Sequence, residues 1–178
     1  MEMTEQLLEE ELVDQNEKEE VVEEGPRVQL IVFHLGEEEY ALPIDQVKEI
    51  VLTPRVSKVP QTPEYVLGIS NIRGNIISIM DFEKKFGLKT RSLKEAKAAG
   101  PSYTMVIEST DYQVGIQVRK VPNTLSVMSS KIDTSANIMQ YASLDESILK
   151  GVVKIGERII ILLDVIRMLE IGELKTKV

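Results

Sequence analysis

Few side chains in this 178-residue sequence could carry covalent or metal chemistry. It has a single histidine, His34, and no cysteine, so it lacks the residue sets used for acyl transfer and for most zinc or iron sites. The segment 68–74, "GISNIRG", has the wrong glycine spacing for a phosphate-binding loop and leads into a strand rather than a helix. We therefore predict that the protein is not an enzyme and holds no cofactor and no metal, with His34 as an ordinary strand side chain.

Arg73 is the residue of this segment whose type points to binding. It lies in a predicted tight turn, Arg73-Gly74-Asn75, between two strands. A guanidinium held in a turn can offer a two-pronged donor to a carboxylate. The sequence also leaves open that Arg73 is a solvated turn residue without a specific contact.

The segment around Arg73 is repeated later in the sequence. Residues 68–81 read "GISNIRGNIISIMD" and residues 151–164 read "GVVKIGERIIILLD", at an offset of 83. A weaker match at an offset of 74 places Ala41-Leu42 on Gly115-Ile116. Each copy of about 65 residues would be only marginally stable alone, so the two copies are predicted to pack together and to leave a groove between them.

The elements that must position these residues are short strands separated by turns. Runs rich in β-branched residues predict hairpins in both copies, and Asp81 is predicted to cap a short helix that ends at Gly87. A proline-rich loop at 53–66 and a long polar loop at 128–146 interrupt the strands. The pattern indicates an all-β fold of antiparallel barrels.

Charge divides the chain unevenly. Residues 1–25 hold eleven acidic side chains and one lysine, a net −10, whereas the whole chain has −8, so the remaining 153 residues carry about +2. A near-neutral body gives no support to nucleic-acid binding. We predict an acidic flexible tail at 1–25, with an amphipathic helix that docks on a partner as the alternative. The acidic start and the lack of cysteine also predict a cytoplasmic protein without a membrane span.

Three blocks of the sequence resemble the CheW family of chemotaxis coupling proteins. They are "VFHLGEEEYALPIDQVKEI", "VLGISNIRGNIISIMD" and "GVVKIGERIIILLDVIRML", and the resemblance covers about residues 27–171. It implies two five-stranded SH3-like β-barrels in one domain at 26–172, with intertwined halves at about 27–90 and 101–172. It also implies a scaffold that couples the cytoplasmic tip of chemoreceptors to the regulatory domain of the histidine kinase CheA.

The resemblance also implies which residues bind partners. In the first half Glu49 and Arg73 are expected to pair, or Arg73 to contribute to receptor and kinase coupling. Thr124 is expected to line the receptor groove, and the loop with Asp133 and Ile138 to make a second kinase contact. The predicted partner-binding residues are Val47, Glu49, Gly68, Asn71, Arg73, Gly74, Thr124, Asp133 and Ile138.

Two features depart from the family pattern. Arg119 stands in "QVRKV" where the family often has aspartate, and the long acidic tail is unusual. The alternative function is a CheW-like module of a related signalling adaptor, similar to CheV, which works beside a receiver domain, or another two-component signalling scaffold.

Overall fold

The computed structural model describes residues 25–88, 100–135, 144 and 146–170. The predicted tail, apart from Gly25, and the predicted contact residue Ile138 lie outside these ranges. The described ranges contain eleven strands: β1 Arg27–Leu35, β2 Glu38–Pro43, β3 Val47–Leu52, β4 Val66–Ile72, β5 Asn75–Met80, β6 Tyr103–Glu108, β7 Gln113–Val118, β8 Asn123–Met128, β9 Ile132–Asp133, β10 Leu149–Ile155 and β11 Arg158–Leu163.

Short helical segments connect or follow these strands. Helix α1 spans Phe82–Lys85 and helix α2 spans Val165–Glu170. Single 3-10 turns lie at Ile44–Gln46, Ser129–Lys131 and Glu146–Ile148. The segment "DQVKEIV" contains the end of the first of these turns, followed by the bulged strand β3.

The strands form two sheets, each of which is one of the two SH3-like barrels. Barrel 1 is the sheet β3-β6-β7-β5-β4, and barrel 2 is the sheet β8-β1-β2-β11-β10-β9. The predicted all-β class with two five-stranded barrels is confirmed, and barrel 2 adds β9 as a sixth strand of only two residues.

The chain exchanges strands between the barrels. The hairpin β1–β2 comes from the first half of the sequence but pairs with β8 and β11 of the second half. The hairpin β6–β7 comes from the second half but pairs with β3 and β5 of the first half. Each half therefore gives its first hairpin to the barrel that the other half completes.

The strand register reproduces both offsets of the sequence repeat. In barrel 1 Gly115 lies beside Ile79 in a parallel pair, and in barrel 2 Ala41 lies beside Leu162 in the equivalent pair. Ala41 to Gly115 is the offset of 74, and Ile79 to Leu162 is the offset of 83. The offset of 74 thus relates the exchanged hairpins, together with strands β3 and β8, and the offset of 83 relates the hairpins β4–β5 and β10–β11.

Both copies of the repeated glycine and aspartate have the same structural roles. A register shift occurs at Gly68 in β4 and again at Gly151 in β10. Asp81 accepts the N–H of Lys84 at 3.2 Å, and Asp164 accepts the N–H of Arg167 at 3.0 Å, so each caps the helix that follows its hairpin. The predicted cap at Asp81 is confirmed.

Within the described ranges, three apolar clusters stabilise the double barrel. Ile72, Ile77, Ile79 and Val106 fill barrel 1. A second cluster, which includes Leu30, Val153 and Leu162, fills barrel 2. The largest cluster joins buried residues of both barrels and both helices, among them Phe33, Tyr40, Met105, Phe82 and Met168. Since burial of apolar surface is the main favourable term in folding, this shared cluster ties the barrels into one body.

Candidate partner-binding surface

The β4–β5 hairpin ends in a two-residue turn formed by Arg73 and Gly74. Their φ angles are +52° and +86°, the pattern of a type I′ turn, which matches the twist of the flanking strands. The Asn71 side-chain oxygen accepts the Gly74 N–H at 2.9 Å and fixes this geometry. The predicted turn was wrong in one respect, since Asn75 already belongs to β5.

Arg73 forms an ion pair with Glu49 on β3. The Arg73 Nε donates to Glu49 Oε2 at 2.5 Å, and the Arg73 side chain is 76% exposed whereas that of Glu49 is 19% exposed. β3 and β4 are the two edge strands of barrel 1, so the pair links the edges that backbone hydrogen bonds leave apart. The expected contact between Glu49 and Arg73 is present, while the Arg73 side chain stays largely exposed to solvent. The role of both residues in partner binding stays a prediction.

The strands that carry this pair also expose large apolar side chains. Ile50 and Leu52 of β3 are 37% and 62% exposed, and Ile76 at the start of β5 is 65% exposed. Ile76 lies opposite Asn71 in the hairpin register. The sequence reasoning did not assign these three residues to the site, although the alternation of β3 and the position of Ile76 beside the turn carry that signal.

Val47 and Gly68, which are predicted binding residues, also contribute to the packing of barrel 1. Val47 is half-buried, packs against the shared cluster and begins the bulge of β3. A Cβ atom on Gly68 would lie 2.1 Å from the Ser57 carbonyl oxygen, and Gly68 has a φ of +143°. Gly68 therefore lets the proline-rich loop approach β4, where Ser57 forms a β-bridge with Ile69. Their predicted role in binding stays a prediction.

The predicted residues of the second half lie on barrel 2. Thr124 is exposed on the edge strand β8, opposite Ile31. Asp133 is exposed on β9. Hydrogen bonds from Ser135, first from its side chain and second from its backbone N–H in order of effect, hold the Asp133 pKa below its usual range. The structure thus brings Glu49, Asn71, Arg73 and Gly74 together on barrel 1, and places Thr124 and Asp133 on the other barrel.

Arg119, which departs from the family pattern, forms a link between the barrels. Its Nε lies 3.7 Å from Glu83 Oε2, and the other Glu83 oxygen accepts the Gly36 N–H at 3.1 Å. Gly36 belongs to the β1–β2 turn of barrel 2, whereas Arg119 follows β7 of barrel 1. The buried Glu83 of helix α1 therefore holds one group from each barrel.

The described residues include no group of three or more His, Cys, Asp or Glu side chains placed to hold a metal ion. His34 lies 3.8 Å from Glu39 and is partly exposed. Within the same ranges, no helix has the length and apolar character needed to cross a membrane. What this part of the chain offers at barrel 1 is an ion pair with exposed apolar side chains beside it.

Similarity to known proteins identifies the family. A family model described as the CheW-like domain matches residues 29–173. The chain is 30% identical to the chemotaxis protein CheW of Helicobacter pylori over 143 residues, which are 80% of this chain and 82% of that protein. It is also 30% identical to the chemotaxis protein CheW of Treponema pallidum over 150 residues, 83% of this chain and 85% of the relative.

A solved structure agrees with this match. The scaffolding protein TtCheW from Thermoanaerobacter tengcongensis superposes with a TM-score of 0.67 at 28% identity, and the match covers 78% of this chain and 90% of that one. The chain belongs to the CheW-like family.

Proposed function

We propose that this protein is a non-catalytic chemotaxis adaptor that couples chemoreceptors to the histidine kinase CheA. Membership of the CheW-like family supports this function, since its relatives are named chemotaxis proteins and one solved relative is named a scaffolding protein. The adaptor acts in the cytoplasm and reaches the membrane through its receptor partners.

The observation that carries the proposal is the Glu49–Arg73 pair on barrel 1. Glu49 orients the Arg73 guanidinium by accepting a hydrogen bond from Arg73 Nε. The other N–H groups of the exposed Arg73 are then available to a partner. Arginine is enriched among the residues that dominate protein interfaces, and exposed Ile50, Leu52 and Ile76 supply apolar area on the same barrel.

A coupling protein needs two surfaces that different partners can occupy together. Barrel 1 offers the Glu49–Arg73 surface, and barrel 2 offers Thr124 and Asp133 on its edge strands β8 and β9. Because the resemblance implies that Thr124 lines the receptor groove, we assign the receptor tip to the surface that contains Thr124. We assign the kinase regulatory domain to the Glu49–Arg73 surface of barrel 1, with the loop of Asp133 as its expected second contact. A typical interface of this kind would bury roughly 1,200–2,000 Å² in total.

The proposal is tested by NMR titration of isotope-labelled protein with each partner separately. The kinase regulatory domain should shift amide signals around Glu49, Arg73 and Ile76, and a receptor-tip helical hairpin should shift signals around Thr124. If neither partner perturbs the spectrum, the chain has the family's fold without this function.

The Arg73→Ala variant tests the residue itself. We expect binding of the kinase domain to weaken about tenfold or more, because an interface arginine is lost. The free energy of unfolding should fall by no more than about 1 kcal/mol, since the pair is exposed. Arg167→Ala, which removes an exposed arginine from helix α2, is the matched control and should leave binding unchanged. Equal affinity of Arg73→Ala and wild type would remove Arg73 from the interface.

A further inference from the structure

A groove at one end of barrel 2 combines apolar walls with positively charged side chains. Its volume is about 660 Å³, and its lining includes Val28, Ile44, Ile132 and Leu162 together with Arg27 and Lys150. Ile44 is 41% exposed, and among the described residues neither Arg27 nor Lys150 has an ion-pair partner. Asp45 also lines the groove, so its charged side chains sum to about +1.

The fold itself does not require an apolar groove at this position. At the equivalent end of barrel 1 the Thr53 hydroxyl bonds the Thr104 hydroxyl at 3.0 Å and the Ser102 hydroxyl at 2.9 Å, and Gln117 donates to Ser102 at 3.1 Å. The repeat offset of 74 replaces these four polar residues by apolar ones in barrel 2: Val127, Leu30, Val28 and Pro43. Of these, Val28 and Pro43 line the groove, whereas Leu30 and Val127 are buried in the apolar cluster of barrel 2.

The segment that precedes the groove in the sequence has the complementary chemistry. Residues 21–24 read "VVEE", two apolar side chains followed by two acids, within a stretch of net charge −10. The chain leaves this segment through Gly25 and Pro26, and the Pro26 carbonyl accepts the N–H of Ser129, which lines the groove. The structure therefore fixes the end of the acidic segment at the groove.

We propose that the acidic segment before Gly25 binds in this groove of its own chain. Val21 and Val22 contact the apolar lining, and the neighbouring glutamates approach Arg27 and Lys150. Val22 lies five positions before Arg27, so its Cα atom lies within about 17 Å of the Arg27 Cα atom at the groove's edge. Such a short tether gives an effective concentration of the order of mM, and weak contacts then suffice for occupancy. This proposal concerns the chain alone and does not rest on the proposed function.

The absence of cysteine from the sequence permits a direct test in the full chain. A nitroxide attached to Asn16→Cys will broaden amide signals of residues that the segment approaches. We expect the strongest broadening at Val28, Ile44 and Ile132. Changing Val21 and Val22 to serine in the same labelled chain keeps its length and charge, and should abolish the preference for the groove.

Matched charge reversals separate binding from mere proximity. Lys150→Glu should reduce the broadening at Ile44 and Ile132, whereas Lys58→Glu, on an exposed loop beside barrel 1, should leave it unchanged. The same broadening in the double serine variant would overturn the proposal, because proximity alone would explain it. Strongest broadening at Ile50 or Leu52 of barrel 1 would also overturn it. A mixture of isotope-labelled chain without nitroxide and nitroxide-carrying chain without isotope label tests for binding between copies. Groove broadening that occurs only in this mixture would also overturn the proposal.

Discussion

Barrel 1 and barrel 2 follow the same strand path but use different side chains to hold it. Among the residues that the structure describes, each barrel has an Arg–Glu pair between its own strands or turns, and the two pairs are not equivalent. In barrel 1 Arg73 joins the β4–β5 turn to the edge strand β3. In barrel 2 Arg158 of β11 donates two hydrogen bonds to the Glu39 carboxylate of β2, from Nε at 3.0 Å and from Nη2 at 2.7 Å.

The repeat offsets show what each barrel lacks. Glu39 and Arg158 correspond to Gln113 and Asn75 in barrel 1, and Glu49 and Arg73 correspond to Asn123 and Gly156 in barrel 2. The backbone path is therefore shared, whereas ion pairs differ between the copies. The shared backbone path therefore depends on the repeated glycine and aspartate, and neither ion pair is needed to define it.

The repeated glycines give the largest expected difference between the barrels. In Gly68→Ala the new Cβ meets backbone 2.1 Å away at a φ of +143°, so we expect a loss of at least about 3 kcal/mol in the free energy of unfolding. In Gly151→Ala the nearest atom is a side-chain methyl of Ile132 at 2.7 Å, so the expected loss is about 1–2 kcal/mol. Chemical denaturation measures both.

Gly36→Ala is the control for backbone strain alone. Gly36 has a φ of +61° with nothing within 4 Å of a Cβ, so its substitution should cost about 1 kcal/mol. Equal losses in Gly68→Ala and Gly36→Ala would mean that the approach of Ser57 contributes nothing to the cost.

Exchanging equivalent residues at the barrel ends should have an intermediate effect. Thr53→Val removes the hydroxyl that contacts both Thr104 and Ser102, and Thr104 is fully buried. Val127→Thr places a hydroxyl within the apolar cluster of barrel 2. We expect each variant to lose about 1–2 kcal/mol in thermal unfolding, since each leaves a polar group without its partner. A neutral Val127→Thr would show that the end of barrel 2 already accommodates a polar group.

The smallest expected effect is the contribution of the Glu39–Arg158 pair of barrel 2 to the pH dependence of stability. The hydrogen bond from Arg158 holds the Glu39 pKa below its ordinary value of 4.5. The favourable contribution is therefore present above the unfolded-state pKa and is lost as the pH falls through the lower folded-state pKa. The pair is partly exposed, so this contribution is at most about 1 kcal/mol.

Arg158→Gln should remove that part of the pH dependence. Melting temperatures measured from neutral pH to about pH 3 should fall less steeply in Arg158→Gln than in wild type. Lys58→Gln is the matched loss of one positive charge and should follow the wild-type curve. Identical slopes for Arg158→Gln and wild type would place the acid sensitivity in other carboxylates.

The sequence predicted the elements of the fold better than their pairing. Alternating β-branched runs, the repeated glycine and the aspartate cap are local signals, and each corresponds to a described element. The exchange of hairpins β1–β2 and β6–β7 was not predicted in detail, because the same repeat would arise whether each half closed its own barrel or completed the other. Only long-range packing decides between these arrangements.

The candidate site was predicted in part for a similar reason. The resemblance supplied the Glu49–Arg73 pair, although 24 positions separate the two residues. Composition alone could not place Arg73 at positive φ, since arginine is not a usual residue there. The link from Glu83 to Arg119 and Gly36 was missed, because it depends on how the two barrels pack. Ile138 lies outside the described residues, so its role stays a prediction.

The exchanged hairpins also determine the order in which the chain can be completed during synthesis. The β1–β2 hairpin leaves the ribosome first, yet β2 pairs with β11, more than a hundred residues later. Barrel 1 needs only strands up to β7, so it can close while barrel 2 still lacks most of its strands. Pairings so distant in sequence are slow to form, and we expect the first hairpin made to be among the last parts of the protein to reach its final partners.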